Sequence, residues 1–258
     1  MKAGTDDPSA RVRSQLAASA PLLGTWVKTP SPIVCEVLAR TPLDVLALDA
    51  EHAPFGRCEL DACIAISLAL GTPVLVRVPD RSPSAILNAL DCGASGVLVP
   101  HVIDAQMAAQ IVRSATYGAN GRGYAGSTRA AGFGARSIGT QLEAAAAGTS
   151  VVLQIEDAEA LPHIEAIGKV PGVAALFIGR VDLTVSLGKT RLDDPEVLRC
   201  VDDIVSKAAA VGVPVGMFVA DHAEIPAWRR KGVNFFLLGS DHQFMQRGVQ
   251  ALVRDAAQ

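Results

Sequence analysis

Two carboxylates and an imidazole follow an apolar stretch in the first quarter of the chain. Residues 45–48 are continuously apolar, as in a strand covered on both faces, and Asp49, Glu51 and His52 come directly after them. Pro54 then ends the pattern, because proline cannot continue a central strand. The carboxyl ends of parallel strands are where α/β proteins place their chemistry. These residues form a candidate metal or acid–base site; a polar loop that only covers a strand end is the alternative.

Further polar side chains stand at the ends of other apolar stretches. Arg77 and Glu156 each close one, Asp182 follows another, and Trp26 ends the first. Two carboxylates from neighbouring strands suit Mg²⁺ or Mn²⁺, because hard oxygen ligands neutralise the ion and leave positions open to a 2-oxo acid. Arg77 would stabilise an enolate oxygen, and His52 is the candidate base, because histidine titrates nearest neutral pH. For each residue alone, a structural salt bridge is the alternative.

Eight such stretches predict eight strands, and helical patterns separate them. The strands are expected at residues 22–27, 45–48, 73–77, 96–99, 151–156, 174–178, 214–219 and 235–238. Strands alternating with helices over about 250 residues are typical of one (β/α)8 barrel, in which all strand ends share a mouth. We therefore predict an α/β fold, a single TIM-barrel domain over residues 1–258, with residues 1–20 as a loose N-terminal segment. A doubly wound open sheet is the alternative, but no GxGxxG or P-loop fingerprint follows any strand.

One connection is long and rich in glycine. It runs from Tyr117 to Gly134 and carries Arg122 and Arg129 among its six glycines. A loop of this length inside a compact domain is usually functional or mobile. Its arginines either meet the distal carboxylate of a substrate or are solvated.

The composition argues against several classes of function. The chain is 50% hydrophobic and 19% charged, its net charge is −3, and it has no run of lysine or arginine longer than three residues, so we expect no nucleic-acid binding. No apolar run reaches transmembrane length and the first residues do not form a signal peptide. We therefore expect no membrane association and a cytoplasmic location. The five cysteines lack CxxC or zinc-like spacing.

The motifs taken together resemble the HpcH/HpaI aldolase family, the metal-dependent pyruvate aldolases of the phosphoenolpyruvate/pyruvate barrel superfamily. They occur in the family's order between about residues 22 and 253, and the pairing of the EHAP, QIE and GxxDL segments is highly specific. The segments that carry the resemblance are Gly24-Thr-Trp26, Asp49-Ala-Glu-His52-Ala-Pro54, Val76-Arg77, Leu98-Val-Pro100, Gln154-Ile-Glu156 and Ile178-Gly-Arg-Val-Asp182-Leu-Thr-Val-Ser-Leu-Gly188.

The resemblance implies a role for each matching residue. Glu156 and Asp182 match the ligands of a divalent ion (Mg²⁺, Mn²⁺ or Co²⁺), His52 the catalytic base, and Arg77 the contact to the pyruvate oxygen. Asp91 matches the acid that is paired with the base. The implied reaction is reversible cleavage of a 4-hydroxy-2-oxo acid to pyruvate and an aldehyde, with 4-hydroxy-2-oxoheptanedioate or 2-dehydro-3-deoxy sugar acids as substrates. The family also implies a homo-oligomer, commonly a hexamer of dimers that exchange their last helix.

Two of these positions raise a question about geometry. Asp91 follows a predicted helix, so it should lie at the opposite barrel face from His52 and act in the mouth of a neighbouring subunit. Arg180 stands where the family usually has proline, and its guanidinium either faces solvent or engages an acidic substrate tail or a neighbouring acid. We count Arg180 with Trp26, Arg77 and Gln154 as candidate substrate contacts.

Three alternatives stay open at this level. A Schiff-base aldolase needs a lysine in the mouth, and Lys28 after the first strand is the good candidate. A related metal-dependent lyase or decarboxylase acting through the same enolate needs the same residues. A barrel that serves only for binding or assembly predicts that loss of Glu156 changes neither metal affinity nor activity.

Overall fold

Eight parallel strands close into a barrel in the computed structural model, which describes residues 8–257. Each strand pairs with the next along the chain, and the first also pairs with the last. This confirms the predicted (β/α)8 TIM barrel. The strands are β1 (Leu22–Val27), β2 (Val45–Asp49), β3 (Val74–Arg77), β4 (Gly96–Val99), β5 (Ser150–Ile155), β6 (Val173–Ile178), β7 (Val215–Val219) and β8 (Val233–Ser240).

Helices connect the strands and surround the barrel. Short 3₁₀ segments at Gly132–Gly134, Ala158–His163 and His222–Glu224 supplement the α-helices. The α-helices of the described residues are α1 (Pro8–Ala17), α2 (Pro32–Ala39), α3 (Arg57–Ala69), α4 (Pro83–Asp91), α5 (Ala105–Ala115), α6 (Ile138–Gly148), α7 (Ile164–Gly168), α8 (Arg180–Ser186), α9 (Pro195–Ala210), α10 (Ile225–Lys231) and α11 (Asp241–Ala256). None of these helices is long and apolar enough to cross a membrane.

The apolar side chains form two layers, one on each side of the sheet. In β2, Leu46 and Leu48 pack against the helices, whereas Val45 and Ala47 point into the barrel. This double burial explains why the strand is apolar at successive positions instead of alternating. Inside the barrel, the ring centroids of Phe177 and Phe235 lie 5.4 Å apart. Each fully buried side chain of this size contributes roughly 1.5–3 kcal/mol.

The N-terminal part of the chain closes the amino end of the barrel. Val12 and Leu16, one helical turn apart in α1, are both buried and belong to the interior apolar cluster. Arg11 Nη2 also donates to the carbonyl oxygen of Gly71 at 2.8 Å. The prediction that residues 1–20 are loose is therefore wrong for residues 8–17, because an apolar pair at helical spacing is enough to dock the helix. Residues 1–7 lie outside the described part of the chain.

Candidate active site

A buried carboxylate, Asp49, organises the cationic side of the mouth. It ends β2, is fully buried, accepts a hydrogen bond from Arg77 Nε at 2.9 Å and lies 2.7 Å from Lys28 Nζ. Burial raises the pKa of Asp49, but hydrogen bonds and charge from Arg77, with the hydrogen bond from Lys28, outweigh it and lower that pKa to about 2. Asp49 is therefore an anion at neutral pH. The sequence placed Asp49 in a candidate metal or acid–base site, whereas the structure pairs it with two cations.

Arg77 is fixed from three sides. Its Nη2 lies 2.8 Å from Asp49 Oδ1, its Nη1 lies 3.2 Å from Glu51 Oε2, and its guanidinium lies 4.4 Å from the ring centroid of Trp26. Arg77 and Trp26 are both almost completely buried. A cation held in this way by carboxylates and an aromatic face keeps one orientation. Trp26 thus packs against Arg77, and its direct contact with a substrate stays a prediction.

His101 links this cationic side to the acidic side of the mouth. It follows β4, its Nε2 lies 3.7 Å from Glu51 Oε1, and its Nδ1 lies 3.5 Å from Glu156 Oε1 and 3.0 Å from Asp157 Oδ2. Partial burial lowers the pKa of His101, but the hydrogen bond to Asp157 and the surrounding negative charges outweigh this, and the pKa is raised. His101 is not among the site residues that the motifs assign, but its position directly after the fourth strand is the sequence signal that it lines the mouth.

Glu156 and Asp182 form the acidic side of the mouth. Glu156 follows β5, is almost completely buried, and accepts hydrogen bonds from the Gln154 amide and from the backbone N–H of His101, the latter at 2.9 Å. Burial raises the pKa of Glu156 against these hydrogen bonds, and the charge of Asp182 raises it further. Asp182 lies in the first turn of α8, which the sequence predicted as a loop. The helix approaches so closely that a Cβ on Gly179 would lie 2.6 Å from Glu156 Oε2.

The residues on this side fit a divalent cation. Two like-charged carboxylates stand close together, and the buried Oε1 of Gln154 has no hydrogen-bond partner among the described residues. A cation removes the repulsion and the unpaired acceptor together, and oxygen donors are those that Mg²⁺ and Mn²⁺ prefer. No three His, Cys, Asp or Glu side chains cluster as a metal site within residues 8–257. The donor set therefore suits an ion that keeps positions for water or substrate instead of a closed structural zinc site.

His52 stands at the rim of the mouth. Its side chain is 54% exposed, and its Nε2 lies 3.6 Å from Glu51 Oε2. Its backbone N–H donates to Asp49 Oδ1 at 3.1 Å, so the turn that presents it is tied to the buried carboxylate. The structure thus brings together His52, Arg77 and the acidic pair at one mouth, as the sequence predicted. The role of His52 as base stays a prediction.

Asp91 lies away from this mouth. It is the last residue of α4, which ends shortly before β4 begins, so it sits near the amino end of the barrel, as the sequence predicted. Its Oδ1 is buried without a hydrogen-bond partner in the described part of the chain. Burial raises the pKa of Asp91 against the positive charges of Arg122 and Arg57. One chain alone therefore does not pair Asp91 with His52.

Arg180 is bound by an acid of its own chain. Its Nη1 and Nη2 donate to Glu224 Oε2 and Oε1 at 2.7 and 3.2 Å, and only 7% of the residue is exposed. Trp228 Nε1 donates to the same carboxylate at 3.0 Å. The alternative in which Arg180 faces solvent is wrong, because Glu224 and the indole of Trp228 enclose it. Direct contact between Arg180 and a substrate stays a prediction.

Known aldolases are similar in sequence to this chain over nearly its whole length. The chain is 34% identical over 254 residues to a hydroxypyruvate/pyruvate aldolase of Paraburkholderia phytofirmans, covering 95% of this chain and 96% of that one. It is 32% identical over 244 residues to a 5-keto-4-deoxy-D-glucarate aldolase of Klebsiella pneumoniae, covering 94% of each.

A solved structure is also closely similar. It is an HpcH/HpaI aldolase/citrate lyase family protein from Burkholderia cenocepacia, with 30% identity, a TM-score of 0.92, and coverage of 96% of this chain and 100% of that one. The resemblance inferred from the motifs is confirmed. Residues 22–247 match the sequence profile of the HpcH/HpaI aldolase/citrate lyase family, and the chain belongs to that family.

Proposed function

We propose that the chain is a divalent-metal-dependent aldolase, a class II carbon–carbon lyase, that reversibly cleaves 4-hydroxy-2-oxo acids to pyruvate and an aldehyde. The observation that carries this proposal is the row of contacts from Arg77 through Glu51 and His101 to Glu156. This row places a fixed guanidinium and a carboxylate pair at one mouth, as an enolate-forming reaction requires. Membership of the family and the aldolase names of two relatives support the proposal.

The residues of the mouth divide the work of bond cleavage. Glu156 and Asp182 would hold a divalent ion (Mg²⁺, Mn²⁺ or Co²⁺), which would supply a Lewis acid for the 2-oxo acid end of the substrate. His52 accepts the proton of the 4-hydroxyl group, the C3–C4 bond breaks, and its electron pair passes to the pyruvate half. Arg77 stabilises the enolate oxygen that forms, because two carboxylates hold its guanidinium in place before the reaction. A proton returned to C3 gives pyruvate.

The substrate class follows from the relatives and from the mouth together. One relative is named for hydroxypyruvate and pyruvate and the other for 5-keto-4-deoxy-D-glucarate. We propose 4-hydroxy-2-oxoheptanedioate and 2-dehydro-3-deoxy sugar acids as the leading candidates, with Gln154 and Trp26 beside the 2-oxo acid end. Arg180 would act on a substrate only if the substrate displaced Glu224, so we rank it below these two.

Pyruvate release from a panel of 4-hydroxy-2-oxo acids tests the proposal. We expect a chelator to abolish release and added Mg²⁺, Mn²⁺ or Co²⁺ to restore it. Glu156→Gln and Asp182→Asn should lose both release and Mn²⁺ binding in titration calorimetry. Asp193→Asn, which removes an exposed carboxylate elsewhere, is the matched control and should behave as the unmodified protein. Metal binding and release that are both unchanged in Glu156→Gln would contradict its role as a ligand. No release by the unmodified protein, with the same metal affinity in Glu156→Gln, would support a barrel used only for binding or assembly.

The release assay, together with borohydride trapping, distinguishes this reaction from a Schiff-base aldolase and from a related lyase or decarboxylase. Lys28 Nζ is paired with Asp49 Oδ2 at 2.7 Å, which leaves a poor amine nucleophile, so we expect borohydride to trap no adduct with pyruvate. Release that ignores the chelator would revive the Schiff-base alternative. No release from any member of the panel, together with intact Mn²⁺ binding, would favour a related lyase or decarboxylase that uses the same enolate.

We propose that Asp91 acts across subunits of a homo-oligomer. Its unpaired Oδ1 lies near the amino end of its own barrel, so only a neighbour's His52 is available to it. Asp91→Ala and His52→Ala should each lose activity, and mixed oligomers of the two should recover part of it, because one mouth in the mixture is complete. No recovery after verified subunit mixing would contradict shared sites.

A further inference from the structure

A cavity lies at the amino end of the barrel, on the side opposite the mouth. We call it the basic cavity; its volume is about 480 Å³, within the range of small-ligand sites. Gly93 and Ala94 of its lining precede β4, and Gly148 and Thr149 precede β5, whereas the residues of the mouth follow their strands. The basic cavity is therefore separate from the candidate active site of its own chain.

Every charged residue in the lining of the basic cavity is an arginine: Arg122, Arg129 and Arg136. Arg129 is neutralised by Asp61, to which it donates from Nη2 at 2.7 Å and from Nε at 3.3 Å. Arg136 donates from Nη1 to a carbonyl oxygen and to Gln141 Oε1, both at 3.2 Å, which leaves its charge unbalanced. Within residues 8–257, no carboxylate forms an ion pair with Arg122 or Arg136, although Asp91 lies near enough to Arg122 for their charges to interact.

Arg122 has the clearest need for a partner. It is only 7% exposed and its guanidinium lies 4.0 Å from the ring centroid of Tyr117. Its Nε–H has no hydrogen-bond acceptor in the described part of the chain. A buried cation with an unpaired donor is unfavourable, and an anion in the adjoining space would satisfy both the charge and the donor.

We propose that the basic cavity binds a small oxyanion, a carboxylate or phosphate group carried by a small molecule. Planar guanidinium groups pair with the oxygens of both groups in a fork geometry, and Arg122 and Arg136, neither of which forms an ion pair among the described residues, would face a ligand of one or two negative charges. The apolar part of the lining, which includes Leu68 and Leu90, would contact the remainder of the ligand. This site does not depend on the proposed aldolase reaction.

Titration calorimetry of the full-length protein with inorganic phosphate, and separately with malonate, tests this proposal in the presence of a chelator. We expect at least one anion to bind, and Arg122→Gln and Arg136→Gln each to weaken it by about tenfold or more. Arg191→Gln, which removes an exposed arginine outside the cavity, is the matched control for net charge and should leave affinity unchanged. Arg77→Gln, in the mouth, should also leave it unchanged.

The outcomes distinguish a phosphoryl ligand from a carboxylate ligand, and binding in the basic cavity from binding elsewhere. Binding of phosphate alone indicates a phosphoryl ligand, binding of malonate alone a carboxylate ligand, and either supports the site. No binding of either anion overturns the proposal, and so does binding that falls in Arg77→Gln or equally in Arg191→Gln. Arg122→Lys keeps the positive charge but lacks the paired N–H donors of the guanidinium group. A loss of affinity in this variant, with an unchanged unfolding midpoint, excludes misfolding as the cause.

Discussion

Asp49 is the residue on which the cationic side of the mouth depends. It has no solvent contact of its own, yet it holds both Arg77 and Lys28, and it accepts the backbone N–H of His52. Its removal would take the ion-pair partner from Lys28 and leave Arg77 with Glu51 as its remaining carboxylate among the described residues. An uncompensated buried charge is strongly destabilising. Asp49 therefore supports stability and catalysis through the same contacts.

The pH dependence of stability should reveal this carboxylate. The pKa of Asp49 is lowered from 3.8 to about 2, so its contribution is present above the ordinary value and is lost as the pH falls through about 2. The shift corresponds to about 2 kcal/mol of unfolding free energy at neutral pH. Asp49→Asn should lose at least this amount in urea unfolding at neutral pH, and the difference from the unmodified protein should narrow on acidification. A difference that is constant with pH would contradict this account.

His101 makes a second residue-level prediction. It adopts a left-handed backbone with φ of 56°, and in that conformation its N–H reaches Glu156 Oε1. Asparagine tolerates this conformation, whereas a β-branched residue does not, at a cost of about 1–2 kcal/mol. His101→Val should therefore bind Mn²⁺ more weakly than His101→Asn in calorimetry, although both lack the ring. Equal affinity in the two variants would show that the backbone donor does not matter.

These residues also show what sequence can and cannot predict about a site. Glu156, Asp182, Arg77 and His52 were identifiable because each ends or follows an apolar stretch, and the structure places them at one mouth. His101 contributes a backbone N–H, and a left-handed backbone conformation directs this donor to Glu156. The residue type alone does not predict that conformation. The partner of Arg180 could not be named, because Glu224 belongs to a segment 44 residues further along the chain.

At the level of elements, α8 connects the carboxylate pair to the rest of the barrel. Arg180 is its first residue and Asp182 lies in its first turn, so the ion pair with Glu224 fixes the end of the helix that carries a predicted ligand. Trp228 of α10 holds Glu224 from the other side. The hydrogen bond from Arg180, with that from Trp228, lowers the pKa of Glu224 against its partial burial. This chain thus has an ion pair where the family usually has proline.

A double-mutant cycle on this pair tests its role in positioning. Arg180→Met and Glu224→Gln should each weaken Mn²⁺ binding severalfold, and the double variant should lose less than the sum. We expect a coupling of about 1–2 kcal/mol, reduced from that of a fully buried pair because Glu224 is partly exposed. Arg191→Met is the matched control and should leave Mn²⁺ affinity unchanged. Additive losses would mean that the two side chains act separately.

The strands could be predicted closely, and two helices could not. Parallel strands covered on both faces give apolar runs, and the observed bounds of β1 and β4 agree with the expected ones. The helix α1 was missed because only Val12 and Leu16 of its ten residues are buried, among arginine and serine. The helix α8 was missed because its seven residues are too few to show a helical period.

At the level of the whole molecule, the last helix has an apolar face that no other described residue of the chain covers. Along α11, Met245, Val249, Leu252 and Val253 are 56%, 61%, 70% and 62% exposed. Their spacing places them on one side of the helix, and Asp241 at its first position is the buried residue of this element. A continuous exposed apolar stripe is typical of an interface. The homo-oligomer in which subunits exchange this helix stays a prediction.

The mass of the protein in solution tests this interface. Val249→Glu and Leu252→Glu place charges on the apolar stripe, where burial of a carboxylate is unfavourable, so light scattering should show a smaller assembly. Gln250→Glu changes a polar residue of the same helix and serves as the control. We expect the unmodified protein to have the mass of a hexamer, and a mass unaffected by both apolar substitutions would exclude α11 from the interface.

The two tryptophans of the chain stand at two of the places described above. Trp26 lies under the guanidinium of Arg77, and Trp228 donates to the carboxylate that binds Arg180. Indole emission responds to nearby charge and polarity, so the protein carries one optical reporter for the mouth and another for the support of α8. In Trp228→Phe only the mouth would emit, and the arrival of a 2-oxo acid could be followed in real time without an attached dye.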